Sequence, residues 1–226
     1  MTDGTTSTTE TTGTWRAGVL LFDGFEPLDA IGPAEVLWAL PRASEVAGVA
    51  GLPATEVHLV SESGGPVTAG YGLVVQSTDS YAGCPPLDLL VVPGGGADAP
   101  QSSTWGVQYF RHHEPTLAFV RRQAEHADVV ASVCTGTFIL AGSGVLAGHR
   151  ATTHWRSRQA LVEAMAERAE PFELVEARVV DDGDLVTAGG VTSGIELALH
   201  LVGRIFGDEY RKAAALDIER ETPVSA

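Results

Sequence analysis

Short apolar runs and longer amphipathic stretches alternate along this 226-residue chain. "WRAGVLLFDG" opens the pattern with a strand over about residues 17–22, closed by a turn at Asp23-Gly24. "PAEVLWAL" predicts a helix with Pro33 at its first position, where a missing N–H does no harm. "TEVHLVSES" reads as a second strand, and "GPVTAGYGLVVQSTDSYAG", alternating and broken by glycines, as a hairpin near an edge. "LDLLVVPGGG" is a near-continuous apolar run ending in three glycines, as expected of a buried parallel strand that delivers a loop rich in exposed backbone. In "EPTLAFVRRQAEHA", Leu117, Val120 and Ala124 share one helix face. Residues 128–133, "DVVASV", predict another strand covered on both faces. From Thr135 onward Phe138, Ile139 and Leu140 suit a packed helix. "GHRATTHWRSRQALVEAMAER" is a loop running into a helix, and "PFELVEARVVDDGDLVTAGG" a hairpin around an Asp-Gly turn. "TSGIELALHLVGRIFG" is an apolar helix with Thr192 or Ser193 as N-cap, followed by a polar helix at about residues 208–218. Strands alternating with helices predict an α/β sandwich around a mostly parallel central sheet, with no internal repeat and no interdomain linker.

Three strand ends carry chemistry. The first strand delivers "FDGFEPLDAIGP", the fourth "PGGG" and the fifth Cys134. If these strands are neighbours, their carboxyl ends bring an acid, a glycine loop and a thiol to one crevice, where open α/β sheets bind ligands. Cys134 also stands at the joint between strand and helix, facing N–H groups that stabilise an anion and lower a thiol pKa. The plain alternatives are a small buried core cysteine and an Asp29 that merely organises a turn before Ile-Gly-Pro.

Composition narrows the partners. The chain is 44% hydrophobic with 26 glycines, enough for a sizeable core with many tight turns. Its 29 acidic against 14 basic side chains leave a net charge of −15, which repels phosphate backbones and anionic lipid and so argues against nucleic-acid and membrane partners. No apolar run reaches the length of a membrane span. The first 14 residues, "MTDGTTSTTETTGT", lack a basic segment followed by an apolar one. They read as a disordered tail ahead of a single domain over residues 15–226. The expected compartment is the cytoplasm, with Cys84 and Cys134 as reduced thiols. "RHHEP" offers two histidines without a third ligand, so no metal is expected, and "PGGG" lacks the Lys-Ser/Thr of a phosphate loop. No cofactor is predicted. Cys84, before Pro85-Pro86, has no activating setting.

"VVPGGG", "ASVCTGTFILAGSGVLAGHRATTHW" and "TAGGVTSGIELALHL" resemble the DJ-1/PfpI superfamily, relatives of class I glutamine amidotransferases, over about residues 17–219. Through "LDAIGPAEVL" and Cys-Thr-Gly the resemblance is to isonitrile hydratases in particular. It implies a flavodoxin-like fold with a nucleophile elbow at Cys134, and a homodimer. It also implies Asp29 as the acid beside the thiol and Thr135 as the residue required after the nucleophile. Gly94, Gly95 and Gly96, with Gly32, would supply backbone donors, and His154 would line the crevice or orient a loop. The implied partner is a small molecule, an isonitrile.

PfpI-like peptidases carry a histidine directly after the cysteine; Thr135 stands there instead, which weakens peptide hydrolysis. The same segments resemble ligand-binding domains of AraC-type regulators, which carry a helix-turn-helix region after this domain, where the present chain stops. Three readings stay open: isonitrile hydration; another DJ-1-type activity on glyoxals or amides, or redox sensing by Cys134; and a noncatalytic ligand-binding module. In the first, Asp29 and Cys134 form a like-charge pair that must share one proton, and the helix start is expected to favour thiolate with neutral Asp29.

Overall fold

The computed structural model describes residues 13–96 and 104–220, so most of the 1–14 tail lies outside the described residues. The chain begins with β1 (Trp15–Leu20), α1 (Pro27–Val46) and β2 (Thr55–Ser61). Strands β3 (Pro66–Thr68) and β4 (Val74–Gln76) form the expected hairpin as a separate two-stranded sheet, and β5 (Asp79–Ser80) returns to the main sheet. Next come β6 (Leu89–Val92), α2 (Gly106–Phe110), α3 (Glu114–Ala124), β7 (Val129–Val133) and α4 (Thr137–Ser143). The short strand β8 (Arg150–Ala151), α5 (Arg158–Glu167) and β9 (Glu173–Leu174) lead to the hairpin β10 (Val179–Asp181) and β11 (Leu185–Ala188). Helices α6 (Ser193–Ile205) and α7 (Asp208–Asp217) complete the described chain.

The main sheet runs β10-β11-β7-β6-β1-β2-β5, parallel throughout except for the β10–β11 pair. Helices α1, α6 and α7 pack on one another, as do α2, α3 and α4, and the sheet lies between the two groups. Every residue of β6 and β7 is buried, which is why both read as unbroken apolar runs rather than alternating ones. Leu20, Leu89, Leu90, Ile139 and Leu140 have essentially no exposed surface, each such side chain contributing about 1.5–3 kcal/mol of transfer free energy. No helix among the described residues is long and apolar enough to cross a membrane.

Local signals misplaced some boundaries. Strand β1 begins and ends two residues earlier than residues 17–22; Leu21 still donates to the Val60 carbonyl at 2.7 Å before the chain turns away. Helix α1 starts at Pro27, not Pro33, and Pro27 takes the first-turn place where proline is tolerated. Pro33 and Pro41 lie inside the helix, each without an N–H for the carbonyl four residues before it. Packing against the sheet, α6 and α7 carries α1 through both. Helix α4 begins at Thr137 because a 3₁₀ turn, Cys134–Gly136, intervenes after β7. Thr192 is the N-cap of α6, yet its hydroxyl accepts from Arg178 Nη2 at 3.2 Å instead of capping the helix.

Candidate active site

Strands β7, β6 and β1 are adjacent and parallel, so the loops that follow them meet at one edge of the sheet. Cys134 sits immediately after β7 with φ 59°, a left-handed conformation that costs a residue with a Cβ about 1–3 kcal/mol. Its N–H donates to the Gly189 carbonyl, 2.8 Å away at the end of β11, and its own carbonyl accepts from Thr153 Oγ1 at 2.8 Å. Gly136 lets the elbow touch β6: a Cβ there would stand 2.2 Å from the Val92 carbonyl oxygen.

Asp29 lies in the first turn of α1 and is completely buried. Its Oδ2 accepts from the Gly94 N–H at 3.1 Å, and Thr135 Oγ1 accepts from the Gly95 N–H at 3.1 Å. The loop after β6 therefore ties the acid to the residue after the cysteine. No side chain fits at Gly94: a Cβ would stand 2.5 Å from Thr135 N, 2.6 Å from Thr135 Oγ1 and 3.0 Å from Asp29 Oδ2. Gly95 has φ 132° and passes so close to Gly24 and Glu26 that it too must lack a side chain. The Asp29 carboxyl lies beside the Cys134 thiol and the Val191 N–H, while its Oδ1 is buried with no well-aligned partner.

Burial sets the electrostatics. It pushes the Asp29 carboxyl up to about 7, with Glu26 adding to the rise and the Gly94 N–H opposing it. Burial also pushes the Cys134 thiol up, and the neighbouring Asp29 charge raises it further, against the Thr135 and Val191 N–H groups. The expected lowering of the thiol by a helix start is thus overturned. A 3₁₀ turn separates Cys134 from α4, and desolvation with a like charge outweighs the backbone donors. The thiol stays protonated while the carboxyl titrates near neutrality, so the pair passes there from two protons to one and carries a single negative charge above it.

The structure brings Asp29, Gly94, Gly95, Cys134 and Thr135 together. The Gly94 and Gly95 N–H groups are engaged by Asp29 and Thr135, and Gly96 lies against Gly106 at the start of α2. Gly32 does not join them: it is inside α1, where its N–H belongs to the helix and its Cα faces Ile195 of α6. His154 packs its ring on Gly190 and accepts from the Arg156 N–H at 3.4 Å. It lines a cleft of about 390 Å³ together with Trp155, Arg158, Glu176, Arg178 and Val191. Both cysteines are free, and Cys84 is half-buried beside Gln123, its thiol raised by burial to about 11. Among the described residues no three His, Cys, Asp or Glu side chains are grouped to hold a metal.

Two contributors escaped the sequence reading. Val191 has φ 45°, rare for a β-branched residue, and this turns its N–H toward Cys134 and Asp29. Thr153 holds the elbow carbonyl. Gly189-Gly190 ahead of Val191, and the Thr152-Thr153 pair ahead of His154, were the only signals available.

A mostly parallel sheet, sandwiched by helices and carrying a cysteine on a strained strand-to-helix elbow beside a buried carboxyl, defines a class of α/β proteins built around one thiol. This chain belongs to the DJ-1/PfpI family, which it matches over residues 15–204. It is 39% identical over 204 residues to an isonitrile hydratase of Pseudomonas putida, covering 90% of this chain and 78% of that one. It is 29% identical over 196 residues to a helix-turn-helix transcriptional regulator of Pseudomonas aeruginosa, covering 87% of this chain and 48% of the regulator. Among solved structures, a ThiJ/PfpI family protein from Pseudomonas syringae superposes with a TM-score of 0.77 at 28% identity, covering 95% of this chain and 78% of that one.

Proposed function

We propose that this protein hydrates an isonitrile to the N-substituted formamide, with Cys134 as nucleophile and Asp29 as acid and base. The observation that carries the reading is the buried Asp29–Cys134 pair, two acids side by side in a site with room for only one negative charge. The terminal carbon of R–N≡C takes both a proton and a nucleophile, the two things such a pair offers. The shared proton passes to that carbon as the sulfur bonds to it, leaving a thioimidate, R–N=CH–S, and an Asp29 carboxylate. Asp29 then takes a proton from water as the oxygen adds to the same carbon, and passes that proton to the nitrogen. The tetrahedral adduct collapses to R–NH–CHO, the carbon–sulfur bond breaks, and the hydroxyl proton returns to the pair. One water is consumed and the enzyme is regenerated. Thr135 Oγ1 accepts from Gly95, so its own O–H remains to orient the water or the substrate nitrogen. The likeness to an isonitrile hydratase over most of both chains supports this reading.

Incubation with a small panel of isonitriles, glyoxals and peptides, read by NMR, tests it directly. Formamide from the isonitriles alone is the expected result; glyoxal turnover without formamide would replace the proposal. The likeness to a transcriptional regulator favours a second reading, a ligand-binding module without turnover. Saturable binding of an isonitrile that is recovered unchanged would select it.

A further inference from the structure

We infer that Thr153 is a positioning residue: by holding the Cys134 carbonyl it aims the Thr135 N–H, on the opposite side of the same peptide plane, at the Cys134 sulfur. This rests on Cys134 being the reactive thiol of the proposed function, but not on an isonitrile being the substrate. A trans peptide unit is planar with its C=O and N–H pointing in opposite directions, so fixing the oxygen fixes the donor. Thr153 is fully buried and its Oγ1 donates to the Cys134 oxygen at 2.8 Å. Thr137 Oγ1 lies 3.4 Å from the same oxygen but donates to the Thr152 carbonyl at 2.9 Å, leaving Thr153 as the main partner.

The Thr135 nitrogen lines the crevice, 2.5 Å from where a Gly94 Cβ would stand, and its N–H acts on the thiol. Since Cys134 holds φ 59°, the plane is not in a conformation the chain keeps unaided. A hydrogen bond on the carbonyl also polarises the amide and strengthens its N–H as a donor. Thr153 is itself anchored, because the Thr152 N–H donates to Thr187 Oγ1 on β11 at 2.8 Å. Asp29 faces the sulfur from α1, with Glu26 behind it. His154 packs on Gly190, Val191 presents only its N–H, and the β7 and α4 sides bring uncharged Ser132 and Thr137.

The test is the pH profile of Cys134 alkylation by iodoacetamide, followed on its rising limb in the full chain in a Cys84→Ser background, with the profile for an aromatic disulfide reagent as a second readout. Thr153→Val should move both upward by about half to one pH unit, a roughly three- to tenfold slower alkylation on the rising limb. Thr153→Ser should restore both. Thr152→Val is the matched control, since Thr152 is equally buried and its hydroxyl has no partner; it should leave the profile in place. A folded Thr153→Val protein with the original profile, or an equal shift in Thr152→Val, overturns the inference. If Thr153→Val does not fold, Thr153→Ala against Thr153→Ser makes the same comparison. None of these readouts needs isonitrile turnover, so the positioning role and the proposed reaction fail separately.

Discussion

Replacing Asp29 with asparagine should make the protein more stable and far less active, and the stability gain should depend on pH. The folded carboxyl is held at about 7 against 3.8 for the free side chain, chiefly because it is buried. Below about pH 3 it is neutral in the folded chain and largely neutral in the unfolded one, so its burial carries little penalty. As pH rises from about 4 to about 7 the unfolded chain ionises freely and the folded chain does not, so stability falls; above about 7 the loss is constant. About three units at 1.36 kcal/mol each put the full effect on the order of 4 kcal/mol. Between about pH 5.5 and 8 roughly 2 kcal/mol of that should still develop. Cys134 blurs the window little, since an ordinary thiol reaches half ionisation only near 9 and this one is held higher. Asp79, Asp181 and Glu196 are held low by their partners, act in more acid solution, and are common to both proteins.

The assay is guanidinium unfolding of the wild type and Asp29→Asn at several pH values. The variant should be the more stable, by a margin that widens by about 2 kcal/mol toward pH 8, while turnover drops by about two to four orders of magnitude. A margin that does not change with pH would mean Asp29 ionises as freely in the folded protein as in water, and the buried-pair argument would be wrong.

Gly94→Ala should keep the fold but lower stability by about 1–3 kcal/mol and turnover by roughly a hundredfold, because its Cβ displaces Thr135 and Asp29; equal losses in Gly83→Ala, where the backbone is not left-handed and the nearest atom to a Cβ is Ser80 Oγ at 3.4 Å, would remove the reasoning. Cys134 alkylation, followed by peptide mass spectrometry, should be slow at neutral pH and speed up in Asp29→Asn, where the like charge is gone; an unchanged rate would deny the coupling. Thr152→Val should raise stability by about 1 kcal/mol by removing a buried hydroxyl with no partner, and a clear loss in thermal unfolding would show that the hydroxyl is satisfied in solution.

The sheet was legible because β1, β6 and β7 are apolar runs that stop abruptly at loops carrying unusual residues: an acid, three glycines, a cysteine. Their adjacency was a condition rather than a consequence of the alternation: β6 lies beside β1 because the intervening β2 and β5 are placed on the far side of β1. The start of α1 was not legible, since Pro33 is a strong local signal and only packing against α6 and α7 carries the helix through it. Grouping Gly32 with the donor glycines failed for the same reason: on a helix that starts at Pro27 its N–H is internal. The thiol shift was misjudged because a joint between strand and helix implies donors, whereas the depth of burial and the Asp29 contact arise only from the assembled chain. Val191 and Thr153 contribute through a strained φ and a hydroxyl-to-carbonyl bond 19 residues away in sequence, which Gly189-Gly190 and Thr152-Thr153 mark without saying what they hold.

The most direct measurement is formamide formation from a small isonitrile by the wild type, Cys134→Ala, Asp29→Asn and the double variant, all shown to be folded. If the two side chains act as one unit on the isonitrile carbon, the wild type turns over, Cys134→Ala does not, and the double variant is no worse than Cys134→Ala. Near-normal turnover in Cys134→Ala, or losses that multiply in the double variant, would contradict the shared role of Cys134 and Asp29.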